Sequence, residues 1–182
     1  TVDRPRMEDL GIGQEVLDNL DRIYLVACGT AYHAAMVGKY LIERIARVST
    51  VVETASEFRY RDPIIDEKTL VIVVSQSGET ADTLAALRIS KAAGAKVLGI
   101  VNVVGSSISR EADYVFYTWA GPEIAVASTK AYSCQLAAMY LLSAHFAMLR
   151  GKMTAEEFRA LRSDLIGLPA KIEEILQKAE EI

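Results

Sequence analysis

Apolar residues along this chain come in two alternating patterns, short unbroken runs and longer stretches with apolar positions three and four apart. The run Arg22-Ile23-Tyr24-Leu25-Val26-Ala27 reads as a strand covered on both faces, as in a parallel sheet. Val48 to Thr54, Leu70 to Val74, Lys96 to Val101 and Tyr114 to Thr118 read as four further strands. Between them, Ala31 to Arg47 and Glu79 to Ala93 have helical spacing, the second stopping at Gly94 as a helix C-cap does. Met7 to Leu20 predicts a lead-in helix around Gly11 and Gly13. Ala55 to Arg61 is a short polar and aromatic segment ended by Asp62-Pro63, and Asn102 to Ser109 reads as a loop. Ile124 to Arg150 is the longest helical pattern, closed by Gly151. Thr154 then caps a helix onset at Met153 to Glu157, and Pro169 is expected in the first turn of a last helix, Ala170 to Glu181.

Five strands interleaved with helices predict an α/β fold, a three-layer α/β/α arrangement around a five-stranded parallel sheet. Such sheets bind ligands beyond the C-terminal strand ends, where the strand order reverses. For the order 2-1-3-4-5 that point lies between strands one and three. It would bring the turn Cys28-Gly29-Thr30 beside Ser75-Gln76-Ser77-Gly78-Glu79-Thr80.

The second of these turns carries the most chemistry. A strand running into hydroxyl residues, a glycine and a helix leaves the first amides of that helix unpaired, at the positive end of its dipole. An anion can dock there, with Ser75, Ser77 and Thr80 adding hydroxyl donors and Gly78 allowing close backbone approach. The guest this suits is a phosphate monoester. The stretch contains no Lys or Arg and fits neither the P-loop nor the dinucleotide fingerprint, which disfavours nucleotides. Capping is the competing reading, since Ser77 followed by Glu79 and Thr80 can also close a capping box.

Composition narrows the function classes. The 182 residues suffice for a single domain with a sizeable core. Lys and Arg number 20 against 24 Asp and Glu, a formal net charge of −4, and they are interspersed, so no nucleic-acid or anionic-membrane surface is expected. The apolar stretch Leu136 to Leu149, interrupted by Ser143 and His145, is too short to span a bilayer. No basic segment with an apolar core opens the chain, so no secretory signal is expected. Cys28 and Cys134, the only cysteines, lack metal or disulfide spacing, which fits a reducing cytoplasm and suggests no metal or other cofactor.

Four segments together resemble the sugar isomerase (SIS) domain family, a flavodoxin-like doubly wound fold: Cys28-Gly29-Thr30, Ala55 to Arg61, Ser75 to Thr83, and Val126-Ala127-Ser128-Thr129-Lys130. Within it, the chain is most similar to the isomerase half of enzymes that make glucosamine 6-phosphate from fructose 6-phosphate and glutamine, by ketose–aldose isomerisation with amino transfer. The resemblance implies that Ser75, Gln76, Ser77 and Thr80 hold the phosphate of a hexose 6-phosphate. It implies that Thr30, Val126 and Ser128 contact the sugar and that Gly29 allows its close approach. Ala31 stands where many members carry a serine, a departure that bears on any contact from that position. The chain resembles only the first of two SIS domains, with a core over about residues 20–150 and C-terminal helices over 153–182 leading towards the second. A glutaminase domain precedes both in such enzymes. The isomerisation base, the imine-forming lysine and a ring-opening histidine from a neighbouring subunit belong to the second domain, so no catalytic residue is expected here. A homodimer, or a pseudo-dimer with a second SIS domain, is expected because the helix Ala131 to Leu149 offers more apolar surface than one sheet face covers. The other reading is a free-standing SIS module that senses sugar phosphates without catalysis.

The remaining candidates read as structural. Lys130 is expected to be a surface cation, His33 exposed or capping, His145 a core or interface residue and Cys28 a small packing residue. Glu79 is the single carboxylate of the three loops and reads as a cap in place of a base.

Overall fold

The computed structural model describes residues 7–125 and 127–178. Five parallel strands, β1 (Arg22–Ala27), β2 (Thr50–Thr54), β3 (Thr69–Ser75), β4 (Lys96–Val101) and β5 (Tyr114–Tyr117), form one sheet in the order β2-β1-β3-β4-β5. The expected order is therefore the observed one. In register, Ala27 stands beside Thr54 and Val74, and Ser75 beside Val101, so the C-terminal strand ends share one edge.

The strands alternate their side chains between two cores, as a pleated sheet requires. On one face Ile23, Leu25, Ile72 and Leu98 pack against α1 (Gln14–Asp18), α2 (Thr30–Leu41) and α6 (Lys130–Leu149). On the other, Tyr24, Val26, Val71 and Val73 pack against α3 (Ala55–Tyr60), α4 (Ala81–Ala92) and α5 (Ser107–Glu111). All seven residues of β3 are buried, which explains its unbroken apolar run. The three layers are those the alternating pattern predicts.

Several element boundaries differ. Residues 7–20 form a 3-10 turn, Met7–Leu10, and the short α1 in place of one helix, with Gly11 between them at φ 74°. The helix expected over Ala31 to Arg47 passes at Ile42–Ala46 into a π turn, closed by Arg47 at φ 58°. β2 begins at Thr50 rather than Val48, and the Thr50 hydroxyl donates back to the Val48 carbonyl. Ala55 to Tyr60 is a helix that buries Ala55 and Phe58. The loop expected over Asn102 to Ser109 already contains the first turn of α5. The helix expected from Ile124 starts at Lys130.

The C-terminal helices are one, not two: α7 (Ala155–Leu176) runs through Pro169. The Thr154 cap is present as a full capping box with Glu157. No residue of α7 is buried, so water can meet the carbonyl that Pro169 leaves without its amide partner, and the helix continues. Residues 179–181 of the expected last helix lie outside the described residues. α6 is well covered by α2, the π turn and α7, and Leu142 to Ala147 are buried all round. Of these two helices it is α7 that leaves most apolar surface open, at Ile166, Leu168, Ile172, Ile175 and Leu176, whereas α6 exposes Tyr140.

Candidate functional site

A cavity of about 200 Å³ opens between β1 and β3, where the strand order reverses. Three stretches wall it: the β1–α2 turn through Cys28, Thr30 and Ala31, the β3–α4 loop through Ser75, Gln76, Ser77 and Thr80, and the β5–α6 segment through Glu123, Ala125 and Ser128, joined by Gln135 of α6. Among the described residues, none of those lining it is a Lys, Arg or His.

The β3–α4 loop is braced by its own serines. Ser75 Oγ accepts from the Gly78 amide at 3.0 Å, and Ser77 Oγ accepts from the Glu79 amide at 3.2 Å. Ser75 and Thr80 hydroxyls share a hydrogen bond of 2.9 Å. That pair carries two hydrogens and spends one between its members, so one O–H remains to donate, as does that of Ser77. Thr80 is the N-cap of α4, yet its side chain does not cap the helix. The first amides of α4 thus keep their donors and the dipole end stays open. Of the two readings the sequence leaves, the hydroxyls here brace the loop and leave the helix end uncapped. Asp82 in the first turn would oppose an anion, but its carboxylate takes a hydrogen bond from Arg59 at 3.1 Å.

Gly78 has a different reason from the one the sequence suggests. It sits at φ 68°, and a Cβ there would collide with the Ser106 side chain, so the glycine admits the loop before α5 rather than a ligand. Gly29, at φ 57° and ψ −135°, has nothing within 4 Å of a would-be Cβ. What its position requires of a glycine is the backbone conformation. Gly29 is not part of the cavity lining, and Val126 lies outside the described residues.

Glu79 is exposed and outside the cavity. It accepts from the Ser107 amide at 2.7 Å, so it caps α5 across 28 residues rather than its own helix, and hydrogen bonds from Ser107 hold it below the usual carboxylate range. Glu123, which sequence reasoning missed, lines the cavity. It accepts from the amides of Ala131 at 3.1 Å and Thr129 at 3.2 Å, which cap α6 and hold its carboxyl below the usual range, the Ala131 bond contributing most. The β5–α6 segment is held in turn by Asn102, which accepts from the Ala120 amide and donates to the Gly121 carbonyl.

Gln135 was also missed, and it was visible as the one amide on a helix face whose other members, Ala131, Ala138, Met139 and Leu142, are apolar. Of the residues read as structural, Lys130 and His33 are exposed, His145 is buried, and Cys28 is half-buried in the cavity wall with the Thr83 hydroxyl 3.9 Å from its sulfur.

Residues 17–144 match the family described as "SIS domain". The chain is 60% identical over 176 residues to a glutamine–fructose-6-phosphate aminotransferase (isomerizing) of Clostridium perfringens and 54% identical to one of Caldanaerobacter subterraneus; each match covers 97% of this chain and 29% of the relative. It superposes with a TM-score of 0.87 and 41% identity on the C-terminal domain of glucosamine–fructose-6-phosphate aminotransferase from Francisella tularensis, over 92% of this chain and 47% of that one. The chain therefore spans a little under a third of the length of the curated relatives it matches.

Proposed function

Because the chain belongs to the SIS-domain family, we propose that it is the first of two SIS domains in a glutamine–fructose-6-phosphate aminotransferase, and that its cavity binds a hexose 6-phosphate. The carrying observation is the β3–α4 loop: two free hydroxyl donors and an uncapped helix start converge in a cavity that, among the described residues, is lined by no cation, which suits reversible binding of a phosphate. In this reading Ser75, Gln76, Ser77 and Thr80 hold the phosphate. Thr30, Ser128 and Val126 contact the carbon chain, and Gly29 sets the backbone of the β1–α2 turn. The base, the imine lysine and the ring-opening histidine come from outside the chain, as does the glutaminase domain.

The open apolar face of α7 supports assembly with a second SIS domain, as a pseudo-dimer or a homodimer. The substrate chemistry is that of the cytoplasm, and no helix among the described residues is long and apolar enough to cross a membrane. A free-standing sensor is not favoured, since similarity over nearly the whole chain is to aminotransferases.

Replacing Thr80 by Val keeps the shape of the side chain and removes its hydroxyl. Hexose 6-phosphate binding should weaken by about 1.5–3 kcal/mol with little effect on folding. Titration calorimetry with fructose 6-phosphate on both proteins tests this, and equal affinities would remove Thr80 from the cradle.

A further inference from the structure

We propose that Gln135 reads the carbon chain of the bound sugar phosphate by accepting a hydrogen bond from one of its hydroxyls. The inference rests on the sugar-phosphate reading above and adds a specificity-determining residue to it. Gln135 lies one turn inside α6, is 2% exposed and lines the cavity, and its Oε1 is buried with no hydrogen-bond partner. A buried acceptor left unmatched is costly, and a residue serving only to pack α6 would do better as Leu or Met. Its helix neighbours on that face are apolar and cannot satisfy it.

The wall around Gln135 sharpens the assignment. The amides of Thr129 and Ala131 both bond to Glu123 Oε2, and its Oε1 meets the Thr129 hydroxyl at 3.5 Å; the buried polar atoms without a partner on this side are Gln135 Oε1 and the Ser128 hydroxyl. An acceptor selects a donor. The dianion of a phosphate monoester has no hydrogen to give, whereas a sugar hydroxyl does. The cavity is thus chemically divided, with hydroxyl and amide donors from the β3–α4 loop for the anion and an acceptor from α6 for the polyol. Ser143 Oγ on the same helix is also buried and unpartnered, but it lines no part of this cavity. Gln135 joins both conditions.

The test is calorimetry on this chain with two probes, fructose 6-phosphate and inorganic phosphate, for wild type and Gln135→Met. Loss of the acceptor should weaken fructose 6-phosphate by about tenfold or more, leave inorganic phosphate unchanged, and keep or raise the melting temperature, since an unmatched amide has been removed. If Gln135→Met does not fold, Gln135→Asn, which withdraws the amide by one methylene, is read the same way. Unchanged affinity for fructose 6-phosphate overturns the inference while leaving the sugar-phosphate reading intact. So does an equal loss for both probes with a lowered melting temperature, which would mark a merely structural residue. Wild-type protein that binds inorganic phosphate but not fructose 6-phosphate overturns both.

Discussion

At the scale of single residues, Glu123 shows how a site can depend on a group that touches no phosphate. Thr129 is the N-cap of α6 but offers no side-chain cap, and the Glu123 carboxylate supplies it from six residues back in the chain, accepting from two amides at once. Its acidity is raised by those bonds, so its folded pKa lies below its unfolded value of about 4.3. The stabilisation is therefore present in full above that pH and is lost as the pH falls through the lower, folded value. Glu123→Gln, which mimics the protonated acid, should melt below wild type near neutral pH and at the same temperature in strong acid. Thermal melts of both proteins across that range check this, and a gap that persists unchanged in acid would contradict the capping role. The residues the sequence made visible are those whose partners are close by in the chain: Ser75 meets Gly78 and Thr80, and Ser77 meets Glu79. Glu123 was hidden because its bonds skip over a loop. Glu79 was read as a cap but of the wrong helix, since Ser107 reaches it only once β4 is in place. Gly78 was assigned to the ligand when its space belongs to Ser106, a neighbour that only the folded chain supplies.

Among the elements, the strands were the most legible, for they are apolar runs buried on both faces, and β1 and β4 begin and end where their runs do. Helix starts were not, because tertiary bonds set them. α4 begins at Ala81 after a loop tied by Ser75, and α6 begins where Glu123 caps it. Pro169 misled for a different reason: its rule as a helix breaker weakens where the freed carbonyl is solvated. α7 is the element whose stability owes least to packing. It spans 22 residues without a buried one, is fixed at its start by the Thr154 and Glu157 capping box, and touches the rest of the protein through α6. Isolated helices draw most of their stability from a packed face, so α7 should open locally far more often than α6. Hydrogen exchange read residue by residue should show amides between Ile166 and Leu176 exchanging orders of magnitude faster than those between Leu142 and Ala147, the fully enclosed part of α6. If a second SIS domain covers the open apolar face, its addition should slow the α7 amides and leave those of α6 unchanged. Equal protection of the two helices in this chain alone would show that α7 is held by more than its cap and its contact with α6.

For the molecule as a whole, the question is what the cavity can do without help. Moving a proton between C1 and C2 of a sugar needs a base with an open lone pair and a pKa matched to the task, assistance worth typically about 10²–10⁴-fold. The titratable groups lining the cavity, among the described residues, are Cys28 and Glu123. Glu123 accepts from two backbone amides on Oε2 and is held below the usual carboxylate range, which makes it a weak base. Glu79 lies outside the cavity and is likewise held low by Ser107. The donors of the β3–α4 loop grip an anion but cannot abstract a proton from carbon. This chain should therefore bind fructose 6-phosphate without isomerising it, and should form no glucosamine 6-phosphate even with ammonia supplied. NMR of fructose 6-phosphate in deuterated buffer gives the readout, since any base acting at C1 washes deuterium into that position. Exchange at the buffer rate is the expected result. Exchange above it, abolished by Glu123→Gln or by Glu79→Gln, would place a working base within these residues and would mean that binding and proton transfer are not divided between this domain and another.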